Sequence, residues 1–129
     1  MDSMFALMRK KNGMTKADFI DYYETRHVPL VLSIIGQYID SYERNYLDYD
    51  HKYTRTATTD DPSAPRPLDV VTHVVWKDLE GARRTMADPE NAGRIARDEE
   101  NFLDRASMEI IIVPDGDSRL TRPDAAAGR

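Results

Sequence analysis

The 129-residue chain has no cysteine, which excludes disulfides, thiolate nucleophiles and cysteine-bound zinc or iron–sulfur centres. No run approaches the roughly 18 consecutive apolar residues of a membrane span. The first residues, "MDSMFALMRKK", carry their positive charge after a short apolar run, unlike a secretory signal. A cytoplasmic location without a membrane partner is the expectation. Its six glycines are scattered, so there is no glycine-rich phosphate loop. Positive charge is in deficit too: 18 Lys and Arg stand against 23 Asp and Glu, a net charge of −5. That field repels a phosphate backbone and argues against nucleic acid as a partner.

What is present is an ordinary globular balance, 40% hydrophobic and 32% charged. The length suits a single domain with one core. "SMFALMRK" (3–10) reads as a strand closed by the Asn-Gly turn of "KKNG". In "MTKADFIDYYE", Thr15 with Asp18 three residues on resembles a capping box. Phe19, Tyr22, Tyr23 and His27 then share one helical face. Pro29 disfavours the α conformation at Val28 and predicts an end or kink near His27. "LVLSII" can add a turn before Gly36.

"QYIDSYERNYL" (37–47) alternates as a strand, with Tyr38, Asp40, Tyr42, Arg44 and Tyr46 on one side. "LDVVTHVVWKD" (68–78) is the clearest strand. It sets Val71, His73 and Val75 on one face, and Val70, Thr72, Val74 and Trp76 on the other. A short helix (78–88), a second helix (89–106) anchored by Ile95, Phe102 and Leu103, and a last strand (107–113) complete the domain. Residues 48–68, rich in proline and polar groups, form a long loop of the kind that serves as a lid. Residues 114–129 lack apolar periodicity and predict a flexible tail.

The order is α+β: a ferredoxin-like βαββαβ with an extra short helix, over residues 1–113. Its four-stranded antiparallel sheet buries one face under helices. A second copy placed face to face would cover the other, giving a homodimer, the dimeric α+β barrel.

The stretch 9–30, "R-K-x-x-G-M-T-x-x-x-F-x-x-Y-Y-x-x-x-H-x-P-L", resembles the opening of the EthD-domain family. Tyr23 stands where that family commonly has Trp. "LDVVTHVVW" sits where it has "D-G-x-A-E-x-W-F", and "ARDEENFLD" is similar to its "A-x-D-E-x-x-F-L-D". The resemblance covers roughly residues 3–113 and implies the same dimeric barrel. The family is functionally mixed: ether-degradation accessory proteins, muconolactone-type isomerases, and dehydratases or decarboxylases of polyketides. Barrel relatives include cofactor-free oxygenases and haem-binding proteins. The chain departs from the pattern at His73, where Glu is common, and in its longer 48–68 loop.

Three histidines carry the candidate chemistry. His27 is either a helix-end residue bonding a carbonyl or a general acid or base. His73 is either a satisfied core histidine or a general base pointing into the barrel interior. His51 is a solvated loop residue unless the loop folds over the barrel mouth. Tyr38, Tyr42 and Tyr46 form an aromatic row, expected to line a pocket with His73, Val71 and Val75; Tyr46 is a candidate catalytic hydroxyl and Tyr23 a candidate contact. Arg44 can bind a carboxylate or enolate, or pair with Asp40. Asp98, Glu99 and Glu100 point in different directions along a helix and read as a solvated face, not as metal ligands, with Asp98 capping or pairing with an arginine.

The leading expectation is a cofactor-independent lyase or isomerase acting on a small hydrophobic or aromatic carbonyl metabolite. The alternatives are a non-catalytic accessory or ligand-binding barrel and, third, a cofactor-free oxygenase or haem protein.

Overall fold

In the structure, a computed structural model describing residues 1–57, 60–64 and 66–124, the elements follow the expected order. They are β1 (Ser3–Met8), α1 (Lys16–Tyr22), a π-turn (Tyr23–His27), α2 (Val28–Ile35), β2 (Ile39–Tyr46), β3 (Val70–Trp76), α3 (Leu79–Met86), α4 (Pro89–Glu99) and β4 (Glu109–Val113). The sheet is antiparallel in the order β2-β3-β1-β4. The last residues of the expected tail, 125–129, lie outside the described residues.

The pleat of β3 sorts the sheet into two faces. Val70, Thr72, Val74 and Trp76 are buried toward the helices, while Val71, His73 and Val75 are half-buried on the opposite side. Residues in register share a face. Met8, Ala6 and Met4 of β1, opposite Val70, Thr72 and Val74, therefore face the helices. So do Tyr46, Arg44 and Tyr42 of β2. Phe5, Leu7 and Ile111 lie on the open face with His73. Under the helices the core has two parts, one around Phe19, Tyr23, Phe102 and Val70 and one around Ile35, Val74, Trp76 and Ile95.

Thr15 caps α1, accepting a hydrogen bond from Asp18 N at 3.1 Å. The helix does not stop at His27. Val28 stays α-helical (φ −57°, ψ −49°) and its N–H bonds Tyr23 O, five residues back. Pro29 explains this turn. It has no N–H to give Thr25 and its ring would crowd that carbonyl; widening the preceding turn to five residues relieves both, and α2 continues. The expected break near His27 is thus a π-turn within a continuous helical run, and His27 is not at a free helix end.

After α4 the chain turns sooner than the expected end at 106. Phe102 is fully buried, and its carbonyl accepts from Lys11 N at 2.9 Å while Asp104 N donates to Arg9 O at 2.9 Å. Those bonds tie the turn to the end of β1. The described part of loop 48–68 is held at its ends, with Tyr49 Oη on Leu68 O at 2.7 Å and Arg66 Nη2 on Lys10 O at 3.2 Å. At the start of the tail, Asp115 N donates to Asp2 Oδ1 at 2.8 Å and the Asp115 side chain meets the N-terminal ammonium at 2.7 Å. Among the described residues, no helix is long and apolar enough to cross a membrane.

Candidate functional site

Between the sheet and the helices of one protomer lies a cavity of about 540 Å³. Its walls are apolar, built from side chains such as Met4, Val31, Ile35, Val74 and Ile95. Its polar lining is sparse: Tyr23, His27, Tyr42, Thr72 and Glu99, with Arg83 and Arg105 among the exposed residues on the solvent side. An apolar chamber with a few convergent polar groups is the usual form of a small-molecule site.

The π-turn and α4 build its reactive end. His27 is buried, 4% exposed, with its ring 4.9 Å from that of Phe102 and edge-on to Tyr23 at 5.6 Å. Nδ1 lies 2.8 Å from Asp98 Oδ2. A carboxylate only accepts, so Nδ1 is the donor in this bond, and Nε2 is the ring nitrogen left facing away from Asp98. Asp98 Oδ1 also accepts from Tyr22 Oη at 2.7 Å. On the other side of the ring, Glu99 Oε2 is 4.0 Å from Nε2. Burial pushes the Glu99 carboxyl above its ordinary value, against the opposing effects of His27 and Arg105. Arg105 Nε sits 3.2 Å from Glu99 Oε1.

A second group comes from the sheet. Tyr42 Oη donates to Tyr23 Oη at 3.3 Å, and Tyr23 Oη shares a hydrogen bond with Thr72 Oγ1 at 2.8 Å. Burial raises both tyrosines, so they remain protonated donors. Three hydroxyl protons serve two hydrogen bonds. Whichever way the middle bond runs, one O–H, on Thr72 or Tyr23, has no protein acceptor among the described residues. In a buried site such a donor is suited to a ligand oxygen. Trp76, the only tryptophan, also lines the cavity, and its buried Nε1 has no partner among the described residues.

The sequence-derived candidates divide. His27, Tyr23 and Tyr42 meet at this cavity. His73 does not: it occupies the pleat between Thr72 and Val74 and so lies on the open face with Val71 and Val75, its ring stacked on Phe5 at 4.3 Å. The expected pocket shared by His73 and the tyrosine row is therefore corrected. The cavity is on the helix side, where β2 turns Tyr42 and Tyr46. Tyr46 Oη is bonded to Glu24 at 2.5 Å and does not line it. Tyr38 packs on α3, where Thr85 Oγ1 donates to its hydroxyl at 3.0 Å. A Cβ on Gly81 would come within 2.6 Å of the Tyr38 ring, so that glycine is required by close approach.

Arg44 does not pair with Asp40. An irregularity between Ile39 and Ser41 shifts the register there, and Asp40 is exposed. Arg44 instead grips Glu24 through Nη2 at 2.6 Å and Nε at 2.9 Å. His51 is exposed, its Nδ1 accepting from Tyr53 N at 3.1 Å, and no described residue of loop 48–68 lines the cavity.

Asp98 and Glu99 are not a solvated face, and among the described residues Asp98 makes neither the expected cap nor an arginine pair. Successive residues of a helix diverge, and here they diverge around one imidazole, each facing a different nitrogen. The signal was the Asp-Glu pair of "ARDEENFLD"; Thr72 carried none. Among the described residues, no three His, Cys, Asp or Glu side chains cluster as metal ligands.

The profile of the EthD domain matches residues 11–106. No curated protein matches the chain. Solved structures share the fold. An EthD family protein from Bacillus halodurans aligns over 89% of this chain and 98% of its own, at 16% identity and TM-score 0.57. A dimeric protein of unknown function with a ferredoxin-like fold from Bacteroides fragilis aligns over 87% and 93%, at 10% identity and TM-score 0.53. SnoaB, a cofactor-independent oxygenase from Streptomyces nogalater, aligns over 95% and 98%, at 16% identity and TM-score 0.50.

Proposed function

Starting from the fact that the chain belongs to the EthD-domain family, we propose that it is a cofactor-independent lyase or isomerase. Its substrate is a small hydrophobic or aromatic compound bearing a carbonyl group. The observation that carries this reading is the His27–Asp98 pair, whose imidazole lines an apolar cavity beside an unspent hydroxyl donor.

In this mechanism the substrate's apolar body fills the chamber. Its carbonyl oxygen accepts the free proton of the Thr72–Tyr23 pair. His27 Nε2 removes the proton next to the carbonyl, and Asp98 steadies the imidazolium that forms. Negative charge developing on the carbonyl oxygen meets fixed hydroxyls in a site of low dielectric, where such donors act most strongly. Tyr42 orients Tyr23. The protein works as a homodimer, with a second copy covering the half-buried face of Phe5, Leu7, Val71 and Val75.

Propiophenone, an aryl ketone without a leaving group, tests the base. In D₂O the wild type should speed exchange of its α-protons and change Trp76 fluorescence on binding, while His27→Gln should bind and exchange no faster than buffer. Absence of both effects in the wild type would contradict the reading. Oxygen uptake without exchange would favour an oxygenase.

A further inference from the structure

We propose that Glu99 is the acid partner of His27, and that this cavity removes water from a β-hydroxy carbonyl compound. The inference rests on His27 being the base and adds the group that dismisses the leaving hydroxyl. Nε2 of His27 and Oε2 of Glu99 are 4.0 Å apart, both on residues lining the cavity. Nδ1–H is already committed to Asp98. Two acceptors this close repel unless a proton sits on one of them.

The groups facing the Glu99 carboxyl are His27, Asp98 and Arg105. Its side chain is only 13% exposed, and it lies at the end of α4, where the helix dipole also disfavours a carboxylate. Arg105 acts the other way, from a more solvated position at 39% exposure. The balance raises the carboxyl, with burial the largest cause. In the proposed cycle Glu99 holds the proton of this gap while His27 Nε2 acts as base, the arrangement that acid and base catalysis needs.

The step balances without a further reagent. His27 Nε2 takes the α-proton, and the electron pair of that C–H bond forms the new carbon–carbon double bond. The bond to the β-hydroxyl breaks, and the Glu99 proton goes to that oxygen, giving water. The imidazolium then returns its proton to the Glu99 carboxylate across the short gap. Hydrogen and hydroxyl leave from the same face. Competing chemistries fit the pair less well. Loss of carbon dioxide needs no acid for its leaving group and would set a substrate carboxylate beside Asp98 and Glu99. A proton shift between carbons needs only the base.

Two measurements with the full-length protein decide it. With 3-hydroxy-1-phenylbutan-1-one as probe, Glu99→Gln should lose water elimination by about 100-fold or more, with a far smaller fall in α-deuterium exchange; His27→Gln should lose both. Infrared difference spectra of wild type against Glu99→Gln at neutral pH should contain the carbonyl stretch of a protonated carboxylic acid. Elimination by Glu99→Gln at the wild-type rate, or no acid band, overturns the proposal and leaves the base intact. No exchange by the wild type overturns the base, and the role of Glu99 with it.

Discussion

Nδ1 of His27, in the π-turn, donates to Oδ2 of Asp98, near the end of α4, across 2.8 Å. The bond crosses between two helices, commits Nδ1 to Asp98 and turns Nε2 away from its carboxylate partner. Its making depends on the widened turn imposed by Pro29, which keeps the helix running while His27 stays on the buried face.

Asp98→Asn should therefore disable the base without emptying the site. An asparagine can donate to Nδ1 and so move the ring proton to Nε2, leaving no lone pair there. Exchange of the α-protons of an aryl ketone should fall by about 10²–10⁴-fold, with ligand affinity, read from Trp76 fluorescence, nearly unchanged. Equal loss of affinity and rate would mean that Asp98 only supports the fold.

Glu24 joins the helical run to β2 through Arg44 and Tyr46. The paired Arg44 guanidinium holds the Glu24 carboxyl below its ordinary value, against burial and with help from the Tyr46 hydroxyl. A carboxyl lowered by folding stabilises above its unfolded value, near pH 4.5, and the stabilisation is lost as pH falls through the lowered folded value. Glu24→Gln should cost about 1 kcal/mol in urea unfolding at pH 7, kept small by partial solvent screening. The difference from wild type should shrink toward pH 3.

Ile111 is 48% exposed in the protomer and shares the open face with Phe5. Ile111→Asp puts a charge on the proposed dimer face while touching no core residue. Sedimentation should give twice the 14.8 kDa chain mass for the wild type and the single mass for the variant, with unchanged circular dichroism. A monomeric wild type would remove the dimer from the account.

The fold was legible because its signals are local. Alternation marked β2 and β3, the Phe19–Tyr23–His27 spacing marked the buried helical face, and the element order left one topology to consider. The site was half legible. His27, Tyr23 and Tyr42 are candidates from sequence alone, but alternation groups Tyr42 with His73 in one pocket, whereas the register sets them on opposite faces of the sheet. Period-2 reasoning put His73 and Thr72 on opposite faces; it did not say which face holds the cavity. That depends on how far α3 and α4 stand from the sheet, a tertiary fact. The roles of Asp98 and Glu99 are hidden in the sequence because adjacency on a helix argues against a shared target, and only a ring with two nitrogens makes them partners.

The most direct test compares His27→Gln with His73→Gln in the same exchange assay. His27→Gln should lose at least about 100-fold, while His73→Gln, on the far face of the sheet, should stay within a few-fold of wild type. Loss of exchange in His73→Gln with His27→Gln fully active would contradict the placement of the reaction on the helix side.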